Sequence, residues 1–288
     1  MSAVTLPSPA KLNLFLHITG RLDNGYHDLQ TLFQLLDYGD NLTFKANTTG
    51  KITLSPSLDG VDANDNLIIR AARLLQDKTS CKQGCAISLD KRIPMGGGLG
   101  GGSSNAATTL VGLNALWHCG LSLEDMAAMG RELGADVPVF VQGNSAFAEG
   151  IGDVLTPIDI PEQWYLVITP NVQVSTTEIF SHPQLTRNSP PIKIRALLEE
   201  QYRNDCQSVV EALYPPVKQL LQWLQRFKNP LMTGTGASVF CRFDSELTAQ
   251  QAQAEVPQKW SSFVARGTNI SPLHKQMEKF NTGAWPSG

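Results

Sequence analysis

Pro94-Met-Gly-Gly-Gly-Leu-Gly-Gly-Gly-Ser-Ser104 is the stretch on which the fold turns. Six of the chain's 24 glycines fall within residues 96–102. Glycine loses more backbone entropy on folding than any other residue, so such a cluster implies a sharp turn or a close approach to a ligand. Ahead of it, Ala86 to Ile93 alternates in the manner of a strand; behind it, a helix is expected from about Ser103 to Trp117. A flexible linker has neither flank. Amides at the start of a helix, reinforced by its dipole, favour a phosphate group. Ser103 and Ser104 add hydroxyls that could reach a phosphate or its Mg²⁺. Three familiar phosphate loops fit poorly. Gly102-Ser103-Ser104 lacks the lysine of a Walker loop. Gly96, Gly98 and Gly101 match a dinucleotide fingerprint, but the ribose-binding acid expected about 20 residues on would be Glu124, inside a helix-capping pattern. The H-R-D and D-F-G elements of a protein kinase are missing.

Working outward, Ala10, Leu12, Leu14, Leu16 and Ile18 alternate with Lys11, Asn13 and His17. This predicts a strand with Lys11 and Asn13 on one face and the aliphatic residues on the other. Asp23-Asn-Gly25 reads as a turn. Leu29 to Leu36 fits strand or helix and is taken as a strand, with Asp37-Tyr-Gly-Asp40 turning the chain into Leu42-Thr-Phe44. Further strands are expected at Ile52–Leu54, Trp164–Thr169, Val239–Phe243 and near Phe263. Helices are expected over Leu67–Leu75, from Ser122 to Leu133, after Ser175, from Pro190-Pro191 to about Glu200, from Pro215-Pro216 to Phe227, and over Leu247–Ala254. Ser122/Asp125 and Ser175/Glu178 both have the spacing of capping boxes. The Pro-flanked break at Pro157–Pro161 suggests a domain boundary, and the residues after 280 a loose tail.

The 288 residues are 42% apolar and 17% charged, enough for an ordinary packed core. A formal charge of −3 with no dense basic run argues against nucleic acid as a partner. No apolar run approaches the ~18 residues needed to span a bilayer, and Met1 to Pro7 lacks the pattern of a secretory signal, so no membrane association is expected. The five cysteines include no C-x-x-C pair and the five histidines have no metal-ligand spacing, which predicts a reducing cytoplasm and no metal held by protein side chains. No sequence feature specifies an oligomeric state.

Pro94 to Ser104 resembles the phosphate loop of the GHMP kinases. Pro9-Ala-Lys-Leu-Asn-Leu-Phe-Leu16, Gly25-Tyr-His27, Leu133-Gly-Ala-Asp-Val-Pro-Val-Phe140 and Thr233-Gly-Thr-Gly-Ala237 extend the resemblance, in order, across nearly the whole chain. The resemblance implies an α+β, two-domain GHMP kinase fold, roughly 1–158 and 159–288, with the active site in the interdomain cleft. It implies ATP-dependent phosphorylation of an alcohol on a small molecule that carries cytidine diphosphate. Mg²⁺ would accompany ATP, held mainly by phosphate oxygens.

Roles follow by position. Read alone, Asp136 caps a helix over Val137–Val141; by resemblance it is the catalytic base. Lys11, read alone a surface lysine, would reach Asp136 and the acceptor hydroxyl and stabilise negative charge developing there. The ATP site would comprise Pro94, Met95, Gly96, Gly97, Gly98, Leu99, Gly100, Gly101, Gly102, Ser103 and Ser104, with Asn66 near the adenosine and Gly100 too close to the phosphates for a side chain. The acceptor substrate would meet Asn13, Tyr26, His27, Thr176, Phe180, Gly234, Thr235 and Gly236. Tyr26 and Phe180 would sandwich the cytosine ring while His27 reads its edge. An inactive nucleotide-binding relative would have no need to keep both Lys11 and Asp136.

Overall fold

Two long antiparallel strands, β1 (Val4–Arg21) and β2 (His27–Asn47), form the spine of the molecule. The computed structural model describes residues 3–281 except 24, 59, 63, 195–201 and 228. β2 continues straight through Asp37–Asp40, where the sequence predicts a turn. Gly39 pairs with Pro9, and a Cβ on it would collide with the backbone of Ser8 and Pro9. The glycine marks a close crossing of two strands, not a reversal.

β3 (Ile52–Ser55), α1 (Leu67–Thr79) and β4 (Gly84–Asp90) follow, with β4 antiparallel to β2 and parallel to β3. Asn66 caps α1 through Ile68 N. The glycine loop then leads into α2 (Gly101–Leu116), α3 (Leu123–Leu133) and α4 (Val137–Gln142). Ser122 and Asp125 form the reciprocal box that starts α3. Short strands β5 (Ala146–Glu149) and β6 (Val154–Pro157), which the sequence does not reveal, add to the edge of β2. The first core packs this sheet against α1–α4 through Leu42, Phe44, Leu75, Leu110 and Val139.

The second half contributes β7 (Trp164–Thr169), α5 (Thr176–Ser181), α6 (Gln207–Leu213), α7 (Pro215–Leu224), β8 (Leu231–Met232), β9 (Val239–Phe243), α8 (Glu246–Ala254), β10 (Ser261–Thr268) and α9 (Pro272–Asn281). β10 pairs with β7 and, at Gly267 and Thr268, with β2, so one sheet runs through both halves in the order β3-β4-β2-β10-β7-β9-β8. A bulge between Asn13 and Leu16 breaks the alternation of β1. Leu12 and Leu14 therefore enter one core while Leu16 and Ile18 enter the core of the second half. α9 turns back to bury Leu273 in the first core.

Two expected caps differ. Ser175 accepts from Glu178 N, but the Glu178 carboxylate bonds Tyr214 Oη instead of returning to Ser175. Residues 190–193 have no helical backbone and Ile194 begins a 3-10 turn; residues 195–200 of the helix expected from Pro190-Pro191 lie outside the described residues, as does the tail. The short α6 was not read from the sequence. Neither was α9, although Ser271-Pro272 supplies a cap and an N1 proline: Ser271 Oγ accepts from Leu273 N.

Candidate active site

Lys11 sits beside an irregularity of β1 and is only 3% exposed. Its backbone N–H bonds Leu99 O, which ties the strand to the glycine loop. Its ammonium group donates to Asn13 Oδ1 (2.5 Å) and Gly98 O (3.2 Å) and lies 3.2 Å from Asp136 Oδ2. All three protons of the amine thus have partners, and the group is fixed in place. Asn13 is oriented in turn, its Nδ2 donating to Thr31 Oγ1 and its backbone N–H to Thr233 Oγ1.

Asp136 stands at the N-cap of α4 with helical backbone angles, and its side chain makes no cap bond. The carboxylate turns to Lys11 and remains one-third exposed to the cavity. The capping role read from local sequence is therefore not the one it performs. Among the described residues, nothing bonds its second oxygen.

The glycine loop divides by face. Gly98, Gly100 and Ser103 line a cavity of about 700 Å³ together with Lys11, Asn13 and Asp136. Leu99 and Ser104 are buried, and the Ser104 hydroxyl accepts from Ser8. Gly97 is buried too, its carbonyl accepting from Ser238 N. Met95, Gly96 and Gly102 face solvent, with Pro94 and Gly101 partly covered. The first bond of α2 is Ser104 N to Gly100 O, so the amides of Gly101–Ser103 have no carbonyl in a preceding turn. Asn66 lies outside the cavity, but its neighbour Leu67 lies 3.5 Å from where a Cβ on Gly102 would sit. Lys91 Nζ lies similarly close to Gly101. These open glycines, free amides and flanking side chains suit a nucleoside triphosphate, and Ser103 adds a hydroxyl to the same cavity. Among the described residues no cluster of His, Cys, Asp and Glu could hold a metal by itself.

Glycine at position 100 has a reason in the packing of the protein. It has φ +73°, and a Cβ there would lie 2.8–2.9 Å from the Phe140 ring and 3.2 Å from Lys11 Cε. Packing within the protein is by itself enough to exclude a side chain there.

The same cavity is lined by Tyr26, His27 and Phe180. The His27 and Phe180 rings are stacked, with centroids 5.1 Å apart and planes at 29°, while Tyr26 is 61% exposed. His27 and Phe180 therefore form one wall, with Tyr26 projecting nearby. Burial, then the charges of Arg187 and Arg21, hold the His27 pKa below its ordinary value of 6.5. The ring is neutral at pH 7.

The second glycine loop closes the cavity's side. Gly234 and Thr235 line it, and Thr235 Oγ1 meets Thr176 Oγ1 at 2.9 Å, joining the loop to the start of α5. Gly236 lies behind, where its N–H bonds Thr233 O to form the turn.

Sequence reasoning missed four supports. Thr233 bridges Asn13 and Gly98. Asn204 donates to Met232 O and Gly234 O and so shapes the second loop. Asp40, fully buried, accepts from Arg92 N, Ile93 N, Lys91 Nζ and Asn105 Nδ2, clamping the entrance of the glycine loop to α2. Arg187 binds His27. Only Thr233, adjoining a glycine pair, carried a local signal; the others act on partners distant in sequence.

Family models for the GHMP kinases N terminal domain and the GHMP kinases C terminal domain match residues 66–144 and 185–262. The chain is 56% identical over 275 residues to the 4-diphosphocytidyl-2-C-methyl-D-erythritol kinase of Pseudomonas aeruginosa, covering 96% of this chain and 98% of that one. This chain belongs to that family of GHMP kinases. The Mannheimia succiniciproducens member is 54% identical, covering 96% of this chain and 91% of its own. A crystal structure of 4-(cytidine 5'-diphospho)-2C-methyl-D-erythritol kinase superposes with a TM-score of 0.82 at 30% identity, covering 92% and 99%. A mevalonate kinase structure, at 16% identity and TM-score 0.68, shares the fold alone. The GHMP kinase is an ATP-dependent small-molecule kinase with an α+β fold. Among its described residues no helix is long and apolar enough to cross a membrane.

Proposed function

We propose that this kinase phosphorylates the 2-hydroxyl of 4-(cytidine 5'-diphospho)-2-C-methyl-D-erythritol, in the non-mevalonate route to isoprenoid precursors, using ATP with Mg²⁺. The observation that carries the reading is the Lys11–Asp136 pair, placed in one cavity between the glycine loop and the His27–Phe180 wall. The two domains divide near residue 158.

Asp136 orients the acceptor hydroxyl with its unpaired oxygen and takes the proton as the bond to phosphorus forms. Lys11, held by Asn13 and Gly98, places a fixed positive charge where negative charge develops, without reorganisation during the reaction. Amides at the start of α2, with Ser103, receive the phosphates; Asn66 lies on the adenosine side. Bound MgATP supplies the phosphoryl group, its metal held chiefly by phosphate oxygens. Thr176, Thr235 and Gly234 flank the middle of the acceptor molecule, and Gly236 supports their turn. Tyr26, His27 and Phe180 take the pyrimidine. Their distance from the reacting group lets remote binding energy position a small, flexible polyol.

The test is a coupled ATP-consumption assay with the cytidine substrate, its cytidine-free polyol phosphate, mevalonate and homoserine. Turnover confined to the cytidine substrate is expected. Efficient turnover of the cytidine-free compound, or of mevalonate or homoserine alone, overturns the assignment.

A further inference from the structure

Arg187 lies in the connection after α5, behind His27, and does not itself line the cavity. Its guanidinium makes four hydrogen bonds: Nε to His27 Nε2 (3.0 Å), Nη1 to Leu185 O (3.1 Å), and Nη2 to Phe180 O (3.0 Å) and His182 O (2.8 Å). One rigid fork therefore grips both members of the stacked wall, His27 by its ring and Phe180 by its backbone. The chemistry of the first bond is one-directional. Arginine has no acceptor and does not lose its proton, so His27 Nε2 must present a lone pair. A neutral imidazole whose Nε2 accepts carries its proton on Nδ1. His27 lines the cavity, and among the described residues nothing takes up Nδ1.

We infer that Arg187 is the positioning residue that fixes base identity: it locks His27 as an Nδ1–H donor, and so selects cytosine, whose N3 accepts, over uracil, whose N3–H opposes a second donor. This rests on the cytidine reading above. Without the lock, His27 could exchange tautomers and offer either a donor or an acceptor, and discrimination between the two bases would fall. A site built around a fixed hydrogen bond rejects a mismatched partner strongly because a buried polar group is left unpaired.

The experiment compares wild type, Arg187→Met and Arg187→Lys with the cytidine substrate and its uridine counterpart, and reads the His27 tautomer by ¹⁵N NMR of histidine-labelled enzyme without substrate. Wild type should show the Nδ1–H form and prefer the cytidine compound. Arg187→Met should lose on the order of tenfold of that preference, the scale of one buried hydrogen bond made or left unpaired. Its KM for ATP and its kcat at saturation should stay within about twofold of wild type, as for a group that does not touch the reacting atoms. Its His27 should populate both tautomers. Arg187→Lys, which keeps a donor for Nε2 but not the fork to the three carbonyls, should restore most of the preference. An Nε2–H tautomer in wild type overturns the inference. So does unchanged discrimination in Arg187→Met, or an Arg187→Lys as indiscriminate as Arg187→Met, which would make the fork merely structural. A wild type that phosphorylates both compounds equally refutes the lock but leaves the kinase reading standing. A wild type inactive on the cytidine compound, yet with the Nδ1–H tautomer in place, refutes the functional reading instead.

Discussion

At the scale of single residues, Asp136 separates chemistry from structure unusually well, because it occupies a cap position without capping. Asp136→Asn should lower kcat by at least ~10²-fold, the usual loss for a positioned base, while both KM values and the thermal midpoint hold. Steady-state kinetics beside a melting curve check it; a fall in melting temperature with intact turnover would return Asp136 to a capping role. Tyr26→Ala should raise KM for the cytidine substrate alone, since base–aromatic stacking is worth about 1–3 kcal/mol in single-stranded nucleic-acid binders. His27 gives a pH signature. Its folded pKa lies below 6.5, so between the two values the unfolded chain holds more protons than the folded one. The stability it contributes is complete above the unfolded value and is lost as pH falls through the folded one. KM for the cytidine substrate should rise over the same acid limb, because a protonated Nε2 can no longer accept from Arg187; a KM flat down to the acid limit of folding would contradict this. Lys11 and Asp136 were singled out by the family resemblance of their motifs, since local pattern alone reads them as a surface lysine and a helix cap; the structure brings them within 3.2 Å. Arg187 was not: its partner His27 is 160 positions away, and nothing near it in the chain hints at the contact.

Among elements, the glycine loop shows why composition alone overstates a ligand's part. Gly100 and Gly102 are both glycine, for different reasons. A Cβ at Gly100 meets Phe140, whereas at Gly102 the nearest atom is at 3.5 Å and the backbone is helical. Gly102→Ala should keep or raise the melting temperature, since alanine is favoured over glycine in a helix by about 1 kcal/mol, yet raise KM for ATP. Gly100→Ala should lower the melting temperature whether or not ATP is present. Opposite signs in the two melts would establish the division; a Gly102→Ala enzyme with unaltered ATP kinetics would move the nucleotide away from that face. The strand, loop and helix around residues 84–116 could be read from periodicity and capping. Asp37–Asp40 could not, because a glycine that lets two strands cross has the same local composition as one that turns the chain.

For the molecule as a whole, the deciding feature is β1. Leu6 belongs to the core under α2, Leu12 and Leu14 to the core between the halves, and Leu16 and Ile18 to the core of the second half. α9 returns the favour by seating Leu273 in the first core. The sequence predicted two halves from the proline break near residue 158, but not this exchange, since a bulge that switches a strand between cores leaves no trace in side-chain type. The exchange makes the enzyme a natural split protein. Cut at residue 158 and produced as two pieces, neither half should be soluble by itself, because each lacks apolar side chains that the other donates. Produced together in one cell, the pieces should reassemble and recover kinase activity, as the two parts of a fragment-complementation reporter do.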